Sequence, residues 1–325
     1  MTRWLVTHVD GVEPPLRFAL VSGGLSNLTY RVTDQRGRSW ALRRPPLHGV
    51  LASAHDMARE HRIIAALGPT DVPVPAAVGL CEDAAVNDAP FFVMAFVDGI
   101  VLRTAAQSAR RLDARQRRAV SERLVDTLAT LHALDPDEVG LGALGRRGGY
   151  IARQLRRWHG QWTQARTREL PLLDQVHARL TANVPAQRGA VIAHGDYRLD
   201  NVILSSDGHV AGVVDWELCT LGDPLADLAT LQAYWTEPDA PTTVTGFMTP
   251  DEIAQRYAAA SGRDLTDLAF YRAFAYWKLA CIFEGVYTRH RGGAYGEAGE
   301  DVEALGGRVP LLAEAAAAAL ARARH

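Results

Sequence analysis

An α+β chain in two parts is predicted here by three observations. At 325 residues it exceeds the size at which one hydrophobic core usually stops growing. Its first part alternates apolar and polar positions at period two around one helical stretch. The remainder repeats apolar residues at helical spacing, interrupted once by three short apolar runs. These place an antiparallel sheet with one helix in residues 1–95, a junction at 96–99, and a mostly helical part in residues 100–325.

The elements follow in order. "LRFALVSGG" begins as a strand and runs into glycines. "LTYRVTD" and "GRSWALRR" alternate in polarity, and "DQRG" between them has turn chemistry, so the pair reads as a hairpin. Pro45 and Pro46 stop its second strand. Met57, Ile63, Ile64 and Leu67 predict a helix over 54–67. "VPVPAAVGLCED" and "PFFVMAFVDG" supply two further strands, and "FVDG" is the junction. Asp113, with Gln116 three residues on, opens a helix whose apolar stripe is Val120, Leu124, Leu128 and Leu131. Further helices are expected near 148–167, 172–183, 224–235, 251–261 and 267–289. "LLAEAAAAALARARH" reads as a short terminal helix with arginine in its last turn, where the helix dipole favours cations. Between the helices lie the strand "AVIA", a polar turn, the strand "NVILS", the turn "SDGH" and the strand "VAGVVDW".

Composition narrows the function classes. A net charge of -2 leaves no global basic footprint for nucleic acid. Cys81, Cys219 and Cys281 are far apart and form no CxxC, which suits a reducing cytosol and no structural disulfide or zinc site. The N-terminus lacks the apolar core of a signal peptide, and no apolar run reaches ~18 residues, so a membrane span is not expected. The expected location is cytoplasmic. Positive charge is almost all arginine: Lys278 is the only lysine.

The polar turn carries the chemistry. His194-Gly195-Asp196 follows "AVIA", Asn201 heads the next strand, and Asp215 ends the third. In such a hairpin the start of one strand lies close to the end of the other, so Asn201 and Asp215 can meet, with Asp196 on the adjoining loop. A carboxylate and a carboxamide oxygen suit Mg²⁺, which fills its other positions with water and phosphate oxygens. A carboxylate not used by the metal can accept a proton from a hydroxyl, as phosphoryl transfer requires. The bland alternative is a polar turn whose Asp and Asn side chains cap backbone groups. A hydrolytic metal site on His194 and Asp196 is a poor fit, because the only other histidine nearby is His209.

H-G-D-x-x-x-x-N at 194–201, followed by Asp215 and "GDPLADLA", resembles the signature of the aminoglycoside phosphotransferase-like kinases. These are distant relatives of protein kinases, whose H-R-D-x-x-x-x-N and D-F-G share the layout. "LRRPP", "ARE", "VPVP", "FVMAFVDG" and "GDYRLDN" resemble more narrowly the branch related to the kinase-like domain fused to some acyl-CoA dehydrogenases. The resemblance spans roughly residues 15–290. It implies a two-lobed protein-kinase-like fold and an ATP- and magnesium-dependent transfer of phosphate to a hydroxylated small molecule.

The resemblance also assigns roles. Asp196 would be the base, Asn201 and Asp215 the magnesium ligands, and Asp227 a structural residue bonding the catalytic-loop backbone. His194 would orient the loop, and Glu217 would be a metal or substrate neighbour. Ser22, Gly23, Gly24, Ser26 and Asn27 would cover the phosphates, and Phe96 would stand at the adenine-contacting linker. Protein kinases place a lysine on the third strand; here Arg43 stands there, with Glu60 as its natural partner. Arginine is planar and forked but can still clamp phosphate. That departure keeps open a catalytically silent nucleotide-binding protein, while the family name keeps open an aminoglycoside kinase.

The acceptor is read from charge. Arg153, Arg156 and Arg157 share a helix face near Arg146 and Arg147, which suits an anionic or acyl-CoA-like group if they are more than a solvated face. Glu297, Glu300, Asp301 and Glu303 leave a cationic acceptor open. Trp158, Trp162, Trp235, Tyr276 and Trp277 line an apolar pocket or, more commonly for such residues, the core.

Overall fold

The structure, a computed structural model, describes residues 1–23, 27–46, 56–292 and 302–323. In chain order its elements are α1 (Thr2–His8), β1 (Arg17–Gly23), β2 (Leu28–Thr33), β3 (Ser39–Arg44), α2 (Met57–Leu67), β4 (Ala77–Cys81), the single turn α3 (Ala84–Asn87) and β5 (Phe91–Ala95). There follow α4 (Ala105–Arg111), α5 (Ala114–Ala133), α6 (Tyr150–Ala165), α7 (Pro171–Ala182), β6 (Val191–Ala193), β7 (Val202–Leu204), β8 (Val210–Val213) and β9 (Thr220–Gly222). The last helices are α8 (Pro224–Trp235), α9 (Pro250–Ser261), α10 (Leu268–Arg291) and α11 (Val302–Arg322). They group into two compact units, Met1–Val101 with Asn201–Leu218, and Leu102–Asp200 with Cys219–His325.

The first unit is built on an antiparallel sheet in the order β1-β2-β3-β5-β4. Val32, Leu42, Cys81, Phe91 and Val93 form its buried face. Leu5, Val9 and Val12 cover that face from α1 and the chain after it. So short a helix carries no period-3.6 signal, and α1 is an addition to the expected single helix. On α2, Asp56 caps the Arg59 N–H at 2.9 Å, and the apolar residues singled out in the sequence are the buried ones.

A second, two-stranded ribbon, β7–β8, belongs to this unit too. Ile100 and Leu204 exchange backbone bonds of 2.7 and 2.9 Å, and Val213 N–H donates to the Pro73 carbonyl at 2.7 Å. A Cβ on Gly99 would stand 2.5 Å from the Leu204 carbonyl oxygen, so only glycine lets the two strands approach. Residues 201–218 fall in this unit although helices flank them in the chain and the expected helical part runs over 100–325.

The second unit is mainly helical. The expected capping box on α5 is present, and a second opens α9 through Thr249 and Glu252. α10 buries residues all round its circumference, including Tyr271, Phe274 and Trp277, as a central core helix must. Trp158, Trp162 and Trp235 are buried as well, so these aromatics are core. The terminal helix is longer than expected. α11 buries Val309, Leu312, Ala313, Ala316 and Leu320 and packs along α10. By length and composition alone its stretch Glu303–Arg322, with mean hydropathy 1.3, is also apolar enough to cross a membrane, which departs from the expectation of no such run. The three cysteines are free and buried.

Candidate active site

In the second unit β6 delivers the chain to a loop that is pinned at almost every residue. Asp227 lies in the first turn of α8, which Asp223 caps and Pro224 starts. Its buried carboxylate accepts the backbone N–H groups of His194 at 2.6 Å and Gly195 at 2.9 Å. His132 Nε2 adds a contact at 3.3 Å, and the other ring nitrogen of His132 meets the Tyr257 hydroxyl at 2.7 Å. Burial would raise the Asp227 pKa, but the His132 bond and the charges around it hold it below the usual carboxylate range. Asp227 therefore bonds the loop backbone, as expected.

His194 is fully buried, and its Nδ1 accepts the Asp196 N–H at 3.3 Å. It serves as scaffold. Gly195 takes φ +84°, a conformation that favours glycine. Tyr197 points inward and donates to the Leu124 carbonyl at 2.8 Å.

Arg198 and Asp200, which had no role in the sequence, form an ion pair, and the Arg198 guanidinium stacks on Tyr234 at 4.2 Å. Burial, then the charge of Asp196, pushes the Tyr234 phenol up. Tyr234 is thus a neighbour of Asp196 that sequence reasoning missed, because nothing in the helical pattern of α8 marks its last turn. Lys278 was missed for the same reason: it lies on α10, far along the chain, yet donates to the Gly195 carbonyl at 2.8 Å.

In the first unit the β7–β8 register sets Val202 opposite Val213, and Val214 N–H donates to the Asn201 carbonyl at 3.0 Å. Asn201 and the segment bearing Asp215 meet as the hairpin argument expected. Asp215 has φ +69°, a left-handed conformation uncommon outside glycine and concentrated at functional sites.

β3 carries Arg43, which donates through Nε to Glu60 at 2.9 Å and through Nη1 to Thr29 at 3.4 Å. Nη2 pairs with Asp215 and lies 3.7 Å from Glu217. Asn27 donates to Glu217 at 3.0 Å. Burial disfavours the guanidinium charge, but Glu60, Asp215 and Glu217 more than restore it and raise the Arg43 pKa. Glu60 moves upward because its burial outweighs the attraction of Arg43.

The remaining expected residues distribute as follows. Ser22 and Gly23 end β1, with backbones opposite Thr29 and Leu28. Gly24 and Ser26 lie outside the described residues. Phe96 follows β5, with the Arg31 guanidinium over its ring at 4.4 Å. The basic face is partly spoken for internally: Arg153 bonds the carbonyls of Arg146 and Gly148, and Arg147 pairs with Asp137 at 2.6 Å. Glu297, Glu300 and Asp301 are outside the described residues, and Glu303 faces the Tyr287 hydroxyl at 3.5 Å. Among the described residues no three His, Cys, Asp or Glu side chains group to hold a metal on their own. The expected donors, Asp215 and Asn201, are one carboxylate and one carboxamide, a pair that suits magnesium only alongside phosphate and water.

A sequence model of the phosphotransferase enzyme family matches residues 17–274. The chain belongs to that family. Among solved structures this phosphotransferase is similar to a Ralstonia eutropha protein provisionally named an aminoglycoside phosphotransferase, at 30% identity and a TM-score of 0.83 over 98% of this chain and 97% of that one. A Plasmodium vivax ethanolamine kinase shares the kinase-like fold at 13% identity and a TM-score of 0.65, covering 96% of this chain and 86% of that one. Among curated proteins, mouse acyl-CoA dehydrogenase family member 10 is 34% identical over 88% of this chain and 27% of its own length. Human family member 11 is 31% identical over 88% of this chain and 38% of its own length. The phosphotransferase thus spans well under half of the curated relatives it matches.

Proposed function

We propose that the chain transfers the γ-phosphoryl group of ATP to a hydroxyl of a small molecule. The observation that carries this reading is the buried Arg43 fork, which joins β3, α2 through Glu60 and the end of β8 through Asp215. It fixes a cation able to orient phosphate on its own carboxylate partner, Glu60, and sets a second carboxylate, Asp215, beside it.

In this reading Asp196 orients the acceptor hydroxyl and takes its proton. Asn201 and Asp215 would hold magnesium, which when bound offsets phosphate charge. Arg43, held at Nε by Glu60, would turn its other N–H groups to phosphate, which would leave Asp215 for the metal. Ser22, Gly23 and Asn27 would contact the nucleotide phosphates. Because this chemistry rests on positioning and charge stabilisation, the pinned loop and the buried fork supply much of what is needed.

For the acceptor we infer a hydroxylated anionic molecule of the acyl-CoA type. The support is the exposed pair Arg156 and Arg157 on α6 and the names of the curated relatives. Arg153, tied to its own backbone, no longer contributes to that case.

One observation favours a second reading. The Asp215 carboxylate is already paired with Arg43, as a silent nucleotide-binding protein would keep it. An ADP-release screen over hydroxyacyl-CoAs, sugars, choline-like alcohols and aminoglycosides separates the two. Turnover with a hydroxyacyl-CoA, abolished in Asp196→Ala while nucleotide binding persists, supports the proposal. Transfer retained by Asp196→Ala overturns the assignment of the base, and nucleotide binding without transfer to any acceptor favours the silent protein.

A further inference from the structure

One lysine stands among 35 lysines and arginines in this chain, and it is buried. Lys278 is 4% exposed, on α10, with the Trp158 ring 5.7 Å from its ammonium. A chain that writes nearly every cation as arginine keeps a compact ammonium at this one place, a point donor rather than a planar fork.

The contact is specific. Lys278 Nζ donates to the Gly195 carbonyl at 2.8 Å. That carbonyl and the Asp196 N–H are the two polar ends of one peptide group. The N–H end bonds His194 Nδ1 at 3.3 Å. The Gly195 N–H, one peptide earlier, bonds Asp227 at 2.9 Å. The peptide that presents Asp196 is therefore gripped from its own loop and from α10, and the peptide before it from α8. A lysine ammonium has three N–H groups, and one bond to a carbonyl leaves capacity toward a neighbouring carboxylate. The charged groups that act on Lys278 are Asp196 and Asp227, which favour its charge, and Arg157, which opposes it; burial opposes it most and lowers its pKa.

We propose that Lys278 is a positioning residue for Asp196, clamping through the Gly195 carbonyl the peptide that presents its carboxylate. The inference rests on the reading of Asp196 as base. It extends that reading to a residue 82 positions away, outside the signature motif.

Because the chain has a single lysine, ¹³C-lysine labelling of the full-length protein yields one side-chain signal. The expected results are two. First, the Lys278 ¹³Cε signal shifts in Asp196→Asn and its titration midpoint falls, since a negative neighbour has been removed. Second, Lys278→Met lowers kcat by about 100-fold with little change in the KM for ATP, as misplacement of a reacting group would, and Lys278→Arg does not restore it. A lysine signal indifferent to Asp196→Asn overturns the proposal, as does wild-type kcat in Lys278→Met. Should Lys278→Met fail to fold, the labelled wild-type chain and Asp196→Asn still decide. If Asp196→Ala retains transfer, the base assignment falls and this inference with it. If Asp196→Ala is inactive while Lys278→Met is normal, only the role of Lys278 falls.

Discussion

At the residue scale, Arg43 shows why a cation–carboxylate set can be both costly and necessary. Its guanidinium and Glu60 are almost wholly removed from water, and such a pair gains little over apolar residues of like volume. Breaking it is another matter. Arg43→Ala leaves Glu60 buried without its counter-charge and should cost about 3–5 kcal/mol in urea unfolding. The double change Arg43→Met with Glu60→Leu should cost less than the single one, which is the sign that the penalty lies in the abandoned charge. Asp227 makes a pH prediction. Its folded pKa is depressed, so its stabilisation is fully present above the ordinary carboxylate value and fades as pH falls toward the depressed one. Asp227→Asn should therefore be much less stable than wild type at pH 7, and the gap in unfolding midpoint should narrow on acidification below about pH 4. A gap constant across that range would disprove the linkage.

At the element scale, helix caps were the most legible features of the sequence. Asp113 with Gln116 marked the start of α5 because a side chain and a backbone donor three residues apart close on each other locally. Asp113→Ala and Thr249→Ala should each lower stability by about 1 kcal/mol, read from thermal melts. The strands of the first sheet were legible through alternation, and the approach of Asn201 to the segment bearing Asp215 through hairpin geometry. What stayed hidden depends on contacts distant in the chain. β9 pairs with β6 across 29 residues, and its three residues carry no period of their own. Lys278 and Tyr234 reach the neighbourhood of Asp196 from helices whose apolar patterns describe only burial. The left-handed turn at Asp215 has no compositional mark, since aspartate is as ordinary there as in any loop.

At the scale of the whole molecule, chain order and spatial grouping part company. Residues 201–218 lie between helical segments in sequence but bond to the strand-rich unit, through Pro73, Ile100 and their neighbours. The chain thus crosses from one unit to the other on either side of the ribbon that bears Asn201 and Asp215. Shortening the Ser205–His209 turn, which closes that ribbon with a 2.9 Å backbone bond, should weaken binding of MgADP while leaving the cooperative unfolding of the helical unit intact. Calorimetry with and without nucleotide checks this: an unchanged ligand-induced shift would refute it.

The buried thiols have a use that does not depend on catalysis. Cys81 belongs to the first unit, Cys219 and Cys281 to the second. A thiol sealed in a core reacts only when its surroundings open, so modification becomes a clock for local unfolding. Under native conditions a thiol reagent should label the chain slowly. As denaturant rises, the mass gained would read one tag where the sheet has opened and two where the helices have, so that the chain itself records which half lets water in first.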